Sequence, residues 1–389
     1  MRVRAGLCGI GALAAVLAGC GGGGDGAGAG SAASTDSATS LTQAAAVRRT
    51  RTTTPTSSTT TSTATTTATV SVSDRQAAAA KVATTDPACT GITAFYWEIG
   101  DKTGKLGSGQ GGTGTTKPTA TTLMPVASAS KWVYASAVIE AQKGVLSADD
   151  VSFLSMRSGY TNFNDCSSAT GMTVAACLTA AGRFSGSNGD YEADTAGQFY
   201  YGGGHMQVHA VQRGWGSYTT SSLTNALKGI KGMPTNSFNY TNVQLAGGLG
   251  TNASNYGLFL RHVLDGTLAQ TAAALGQHAV CAHANGSDCS GVIFSPINQS
   301  RPGGPNDIGN ESWHYSLGHW VEDDPSLGDG TFSSPGKFGF YPWIDKSKSW
   351  YGVLARYDAA NVYNTDPTQT PYNTSRLCGR KIRQAWLNP

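Results

Sequence analysis

The sequence is poor in charge and holds no apolar run long enough to cross a bilayer as a helix. Charged residues make up 13% of its 389 positions, and the formal net charge is +3. No stripe of lysine and arginine marks the folded part, which argues against a nucleic-acid-binding domain. The apolar run at residues 10–17 is too short for a transmembrane helix.

Several catalytic and metal-binding motifs are also missing. No Gly-x-Ser-x-Gly occurs, which excludes the usual nucleophile elbow of a Ser-His-Asp hydrolase. No Cys-x-x-Cys occurs, and the two histidines and two cysteines of residues 278–289 fit no standard zinc spacing. His205 and His209 are four apart but lack the glutamate of a zinc-protease helix. We therefore expect neither a metal nor a cofactor.

The N-terminus is typical of an exported lipoprotein. Two arginines precede the short apolar run, which ends in Leu17-Ala18-Gly19-Cys20. This ending resembles a bacterial lipobox, in which the cysteine is lipidated, although a plain secretory signal with a chance cysteine is the alternative. Gly21 after Cys20 favours the outer membrane by the same resemblance. We expect a lipoprotein signal peptide at residues 1–20 and a protein anchored in the cell envelope, facing the periplasm or the exterior.

Composition divides the rest of the chain into two parts. Residues 21–85 pass from Gly and Ala to Ser and Thr with almost no large apolar residues, which predicts a disordered tether. Residues 86–389 have the composition of a folded domain large enough for a substantial core.

Six cysteines remain after the signal segment, and an even number in an exported domain argues for three disulfides. Roughly 15 connectivities are open to six cysteines. Locality favours Cys166–Cys177 and Cys281–Cys289, because both close short loops. That choice leaves Cys89 to pair with Cys378.

Hydrophobic patterning predicts strands at both ends of the domain and helices between them. The expected strands are residues 92–99, 337–344 and 350–356, with a hairpin turn at residues 101–104. The expected helices are residues 131–142, 204–213, 221–228, 254–264 and 378–387. This order fits an α+β domain whose sheet comes from both termini.

Ser128-Ala129-Ser130-Lys131 supplies a nucleophile and a base at helical spacing. The motif lies where an irregular segment turns into a helix-prone one, and residues three apart share one face of a helix. A neutral lysine amine there takes the serine proton and activates the hydroxyl. Burial and the positive helix N-terminus both favour the neutral amine. The alternative is an ordinary helix start with Ser128 as its N-cap.

Ordered landmarks along residues 88–389 resemble the serine β-lactamase and penicillin-binding-protein superfamily, in particular class C β-lactamases and related esterases. The landmarks are residues 125–131 for the nucleophile helix, 153–159 for the loop after it, 199–203 for the second motif, 246–264 for a glycine turn and helix, and 315–318 with 334–339 for the third motif. The resemblance implies a β-lactamase-like antiparallel sheet flanked by helices, with a mainly helical second lobe.

The resemblance also implies a role for each residue of the motifs. Ser128 is the nucleophile, and Lys131 and Tyr201 transfer its proton. The backbone N–H groups of Ser128 and Lys337 form the oxyanion hole. Ser334-Pro335-Gly336-Lys337 repeats the Ser-x-x-Lys spacing, but its proline and glycine prevent it from opening a helix in the same way.

Two motifs depart from the family pattern. Gly203 stands where asparagine is usual, and the literal Tyr160-Thr161-Asn162 follows Ser128 too closely to replace it. Ser334 stands where lysine or histidine is usual, so a cation that would bind a substrate carboxylate is missing there. We expect Tyr160, Gly203, Ser334 and Gly336 to contact a substrate, and the substrate to be neutral.

The sequence thus predicts a lipid-anchored serine hydrolase that acts through an acyl-enzyme on a neutral carboxylic ester or amide. β-Lactams, D-Ala peptides and nylon-type oligomers are alternative substrates. A non-catalytic envelope-binding protein with decayed motifs is an alternative of a different class. The expected partners are a small-molecule substrate and, through Cys20, the membrane. The sequence does not determine the oligomeric state.

Overall fold

The computed structural model describes residues 70–166, 171–283, 289–298 and 311–389. The predicted signal peptide with Cys20, and residues 21–69 of the predicted tether, lie outside the described residues. Within the described ranges, no helix is both long enough and apolar enough to cross a membrane.

Ten helices and thirteen strands are assigned in the described residues. The helices are α1 (Val72–Thr85), α2 (Pro87–Thr90), α3 (Ser130–Ala141), α4 (Ala148–Leu154), α5 (Val174–Leu178), α6 (Gly204–Ala210), α7 (Thr220–Lys228), α8 (Ala253–Leu264), α9 (Ala269–Ala274) and α10 (Pro371–Leu387). The strands are β1 (Phe95–Asp101), β2 (Gly104–Gly111), β3 (Met124–Pro125), β4 (Phe199–Tyr200), β5 (Asn239–Tyr240), β6 (Leu249–Thr251), β7 (Val280–Cys281), β8 (Val292–Phe294), β9 (His314–Tyr315), β10 (Trp320–Glu322), β11 (Thr331–Ser333), β12 (Tyr341–Ile344) and β13 (Tyr351–Arg356).

Eight strands form one antiparallel sheet in the order β2-β1-β13-β12-β11-β10-β9-β7. Within this sheet the first strand pairs with the last, since Phe95 of β1 lies opposite Arg356 of β13. The turn between β1 and β2 falls at Lys102 and Thr103, within the predicted hairpin. The sheet is therefore built from both ends of the domain, and the predicted α+β class is confirmed.

Helices cover both faces of this sheet. Residues alternate across a strand, and in β1 the side chains of Phe95, Trp97 and Ile99 join the core that α1 and α10 form. Tyr96 joins the larger core around α3 and α8 on the other face. Its hydroxyl donates to the buried Glu98 at 3.1 Å. Both faces of β1 are thus buried, which explains its nearly continuous apolar and aromatic sequence.

Helix α1 shows that the folded domain begins before the predicted boundary at residue 86. Ser71 and Asp74 form a capping box at its start, and Ala79 and Ala83 are fully buried. Gln76 donates to the Ser108 carbonyl of β2 at 2.9 Å. The prediction that the disordered tether extends to residue 85 is wrong for residues 72–85, which form α1. An alanine-rich segment has low sequence complexity, but alanine also has the strongest helix propensity and packs closely.

The three predicted disulfides are confirmed. They join Cys89 to Cys378, Cys166 to Cys177 and Cys281 to Cys289. The first of these connects α2 with α10 across a sequence separation of 289 residues. The two ends of the domain are therefore covalently linked.

Helix α10 begins at Pro371, earlier than the predicted start at Cys378, because proline at the first helical position loses no intrahelical hydrogen bond. Its Arg380 and Arg383 donate to the buried Glu322 of β10 at 3.2 and 3.1 Å. Burial raises the pKa of Glu322, but the arginines outweigh it and lower this pKa to about 2. The carboxylate stays ionised and binds α10 to β10, which forms one wall of the site.

Candidate active site

The chain reaches Ser128 through a strained turn. A 3-10 turn, Ala127–Ala129, leads directly into α3, and Ala127 has a φ of 46°, in the left-handed region that side-chain-bearing residues seldom adopt. The Ser130 hydroxyl donates to the Ala127 carbonyl at 2.6 Å and accepts the Leu249 N–H at 3.0 Å. Ser128 does not cap α3, since no side-chain cap occurs there. Strained backbone that its neighbours maintain is typical of functional sites.

Lys131 lies one helical turn after Ser128 and faces it. Its Nζ is 3.1 Å from the Ser128 Oγ and donates to the Ala246 carbonyl at 3.0 Å. The side chain is buried, and burial lowers its pKa from 10.5 to about 7, while Asp165 acts in the opposite direction. A large fraction of Lys131 is therefore neutral near pH 7, the form that accepts a proton from serine.

Tyr201 completes a group of three side chains around the nucleophile. The Lys131 Nζ lies 4.7 Å from the centroid of the Tyr201 ring. That ring packs on Trp320, with centroids 5.0 Å apart, and meets Tyr315 edge-on at 5.7 Å. Burial raises the pKa of Tyr201 to about 12, and the Ser128 hydroxyl beside it acts in the opposite direction. Tyr201 is therefore a neutral phenol near pH 7, able to share a proton by hydrogen bonding.

The segment of residues 334–337 packs behind the nucleophile. The Ser334 Oγ donates to the Ser128 carbonyl at 3.1 Å. A Cβ on Gly336 would overlap the Val126 carbonyl oxygen, so only glycine permits this close approach. The predicted strand at residues 337–344 begins only at Tyr341, because residues 337–339 form a turn in which Gly339 has a φ of 102°.

A cavity of about 790 Å³ opens in front of Ser128. Tyr201 and Lys337 line it together with the nucleophile. Its apolar walls come from Phe294, Pro296, Ile297, Trp320 and Tyr372. Residues 362–365, between β13 and α10, also line it. The cavity is large enough for a small organic substrate with its carbonyl carbon at the serine hydroxyl.

Several solved structures align with most of this chain at low sequence identity. The D-amino acid amidase of Ochrobactrum anthropi SV3 aligns over 81% of this chain and 99% of that chain, with a TM-score of 0.53 and 13% identity. A class C β-lactamase from Rhodobacter sphaeroides aligns over 80% and 99%, with a TM-score of 0.48 and 16% identity. A penicillin-binding protein homologue from Caulobacter crescentus aligns over 80% and 98%, with a TM-score of 0.49 and 14% identity.

The chain has a β-lactamase-like α+β fold, which it shares with the D-amino acid amidase. The resemblance drawn from the ordered motifs is thereby confirmed at the level of the fold. No protein-family model matches the sequence, and no curated protein sequence matches it. Within this β-lactamase fold, the chemistry must be argued from the side chains themselves.

The structure brings Ser128, Lys131 and Tyr201 together but does not place every predicted contact residue at the cavity. Tyr160 packs between Phe153 and Tyr191, with centroids 5.7 and 5.3 Å away, and is not among the described residues that line it. Gly203 precedes α6, where a Cβ would lie 2.7 Å from the Phe163 ring.

Ser334 and Gly336 contact the backbone around Ser128 instead of lining the cavity. None of the four predicted contact residues is therefore among the described residues that line the cavity. Ser334 and Gly336 support the backbone around Ser128, whereas Tyr160 and Gly203 pack against aromatic rings.

The histidines that could suggest a metal have other partners in the β-lactamase fold. His205 lies between the Ser158 hydroxyl at 2.7 Å and the Tyr200 carbonyl at 2.9 Å, and burial lowers its pKa to about 4. His209 contacts Asp150 at 2.9 Å and the Tyr134 hydroxyl at 3.0 Å. His209 thus connects α6 with α3 and α4, and His205 connects α6 with β4 and with the loop after α4.

Cys281, His283 and Cys289 lie close enough to share a metal ion. The two cysteines are joined in a disulfide, so neither offers the thiolate that binds zinc. The expectation that the protein uses no metal stays a prediction.

Arg183, Phe294 and Trp320 line the cavity although no motif had singled them out as site residues. Phe294 is brought there by parallel pairing of β4 with β8, where it lies opposite Tyr200. Trp320 follows the Tyr315–Gly318 landmark closely in the sequence. Arg183 lies in a segment without a motif, and no local pattern predicts its position.

Proposed function

We propose that the protein is a serine hydrolase that cleaves carboxylic esters or amides through an acyl-enzyme. The observation that carries this proposal is the 3.1 Å approach of the Lys131 Nζ to the Ser128 Oγ at the wall of a cavity of about 790 Å³. Burial lowers the pKa of Lys131 to about 7, which supplies a neutral amine beside the hydroxyl. The fold supports the proposal but does not define a substrate.

In the acylation step the Ser128 oxygen attacks the carbonyl carbon of the substrate, and Lys131 takes the hydroxyl proton. The carbonyl oxygen becomes an oxyanion, which accepts hydrogen bonds from the backbone N–H groups of Ser128 and Lys337 in this proposal. The intermediate then collapses and the bond to the alcohol or amine breaks. Tyr201 passes the proton from Lys131 to the departing oxygen or nitrogen.

Water completes the cycle. Its oxygen attacks the acyl carbon while Lys131, through Tyr201, takes one of its protons. The bond between the Ser128 oxygen and the acyl group breaks, and the proton returns to that oxygen. The carboxylic acid leaves, and the hydroxyl and the neutral amine are restored for the next substrate.

Substitution of the nucleophile tests the proposal. We expect Ser128→Ala to lower the hydrolysis of 4-nitrophenyl butyrate by about a thousandfold or more. Ser221→Ala, at an exposed position of α7, is a matched control that should keep wild-type activity. Hydrolysis unchanged in Ser128→Ala would overturn the assignment.

Covalent labelling separates an enzyme from a non-catalytic binding protein of the same fold. A fluorophosphonate probe should modify the wild-type chain at Ser128, as located by mass spectrometry of the labelled peptide. Absence of both labelling and ester hydrolysis would favour the binding protein. A chromogenic cephalosporin used beside the esters reports whether β-lactams are turned over.

We also propose that the chain is exported and anchored through a lipidated Cys20. The lipobox-like ending of the signal segment and the three disulfides of the domain support this location. Metabolic labelling with a radioactive fatty acid tests it in the native host. Cys20→Ser should abolish labelling and release the protein from the membrane fraction, whereas retention of both in the variant would contradict it.

A further inference from the structure

The catalytic cavity carries positive charge that no carboxylate of its described lining residues balances. Arg183 and Lys337 both line it, and none of the described lining residues is aspartate or glutamate. A cleft lined with charge of one sign concentrates ligands of the opposite sign. The neutral substrate predicted from the sequence rested on the missing cation at Ser334, and the structure supplies cations from other segments.

Lys337 and Arg183 differ in the contacts that their charged groups already make. The Lys337 Nζ donates to the Tyr363 hydroxyl at 3.2 Å and lies 4.5 Å from the centroid of that ring. An ammonium that has an aromatic face and a hydroxyl as partners is partly satisfied. Lys337 is therefore the less available of the two for a ligand.

Arg183 is held in place but not neutralised. Its Nη1 donates to the Tyr200 hydroxyl at 3.3 Å, and its guanidinium carbon lies 5.6 Å from the centroids of Phe184 and Phe294. No carboxylate within the described ranges forms an ion pair with it. A guanidinium has five N–H donors, and one bond to Tyr200 leaves donors for a second oxygen ligand.

Arg183 also lies on a different wall of the cavity from residues 334–337, which pack behind Ser128. Tyr200 and Phe294 belong to β4 and β8, and the Tyr201 N–H donates to the Phe294 carbonyl at 2.9 Å. Residues 334–337 approach Ser128 from the main sheet. A group bound at Arg183 would therefore lie beside the rings of Phe184 and Phe294.

We propose that Arg183 is a specificity-determining residue that binds a carboxylate of the substrate. This inference rests on the proposed serine hydrolase function and names its substrate class. The preferred substrates are esters or amides with an apolar body and a carboxylate remote from the bond that is cleaved. The planar guanidinium matches the two oxygens of a carboxylate, and the adjacent rings accept the apolar body.

Two matched pairs of esters test the proposal with the full chain. The first pair, 4-nitrophenyl hydrogen adipate and its methyl ester, places the carboxylate on the acyl side. The second pair, 4-carboxyphenyl butyrate and its methyl ester, places it on the leaving group. The measured quantity is the ratio of kcat/KM for the acid to kcat/KM for the methyl ester in each pair.

We expect wild type to favour the acid in at least one pair and Arg183→Gln to lower that ratio about fivefold. Arg183→Lys should keep part of the preference, because charge remains without the planar fork. Arg183→Glu should reverse it. Arg157→Gln removes an exposed arginine that does not line the cavity, and it should leave the ratio unchanged.

The outcomes distinguish this inference from the function on which it rests. A ratio near one in both pairs, or a ratio that Arg183→Gln does not change, would overturn the carboxylate subsite while the hydrolase stands. Failure of wild type to hydrolyse any of the four esters, together with no labelling of Ser128, would overturn the hydrolase itself. A loss of preference at high salt in wild type would support the subsite, because salt screens exposed charges.

Discussion

Replacement of Lys131 by methionine should change the stability of the fold in a direction that depends on pH. Burial lowers the pKa of Lys131 to about 7 in the folded protein, whereas the unfolded chain has the ordinary value of 10.5. Between these values the unfolded chain binds one proton more than the folded protein. The free energy of unfolding of wild type therefore rises with pH across this window.

The magnitude follows from the two pKa values. Each tenfold change in proton affinity is worth about 1.36 kcal/mol, so burying Lys131 costs about 5 kcal/mol at pH 6 and about 3 kcal/mol at pH 8. The cost vanishes near pH 10.5, where the lysine is neutral in both states. Methionine removes this cost but leaves the Ala246 carbonyl and the Ser128 hydroxyl without their lysine partner, which offsets about 2 kcal/mol at every pH.

We therefore expect Lys131→Met to be more stable than wild type by about 3 kcal/mol at pH 6 and less stable above about pH 9. Urea denaturation followed by tryptophan fluorescence at pH 6, 8 and 10 measures the difference. Lys102→Met, in the exposed hairpin turn, removes a lysine whose environment is open and should show no such trend. A difference between Lys131→Met and wild type that stays constant with pH would refute the reasoning.

Two further substitutions test the support around the nucleophile. Tyr201→Phe keeps the packing on Trp320 and removes only the hydroxyl beside Ser128. The kcat for 4-nitrophenyl butyrate should therefore fall about 100-fold, while the melting temperature changes little. An unchanged kcat would show that Tyr201 takes no part in the proton transfer. Gly336→Ala would force a Cβ against the Val126 carbonyl and should lower both the melting temperature and the activity. Gly247→Ala, where a Cβ meets no atom within 4 Å, is the control, and equal melting temperatures of the two variants would contradict the close approach.

The parts of the site that lie within one helical turn could be predicted from the sequence. Ser128 and Lys131 are three residues apart, so helical geometry alone brings them together, and the structure places them 3.1 Å apart. The short sequence distances between the cysteines likewise predicted the Cys166–Cys177 and Cys281–Cys289 pairs. These predictions needed only local spacing, which tertiary packing did not change.

The cavity walls could not be predicted because distant segments build them. Phe294 meets Tyr200 through the pairing of β4 with β8, and strands of two and three residues leave almost no sequence signal for that pairing. Arg183 contacts both residues from a segment outside the two strands. Tyr363 reaches Lys337 from a connection that precedes α10. Residues 337–339 form a turn instead of the expected strand, because Gly339 has a positive φ. The alternation of apolar residues does not reveal such a backbone conformation.

Polar contacts of α1 and a disulfide of α2 bring both helices to α10, so the two ends of the folded domain lie close together. Arg75 donates to the carbonyls of Trp386 and Leu387, and Cys89 is bonded to Cys378. Because the first and last helices of the domain are in contact, its two ends could be joined and new termini placed elsewhere in the fold. A circular permutant that joins the two ends by a short linker and opens the β1–β2 turn would keep the same sheet. In that permutant the Cys89–Cys378 bond would close a much shorter loop and would contribute less to stability.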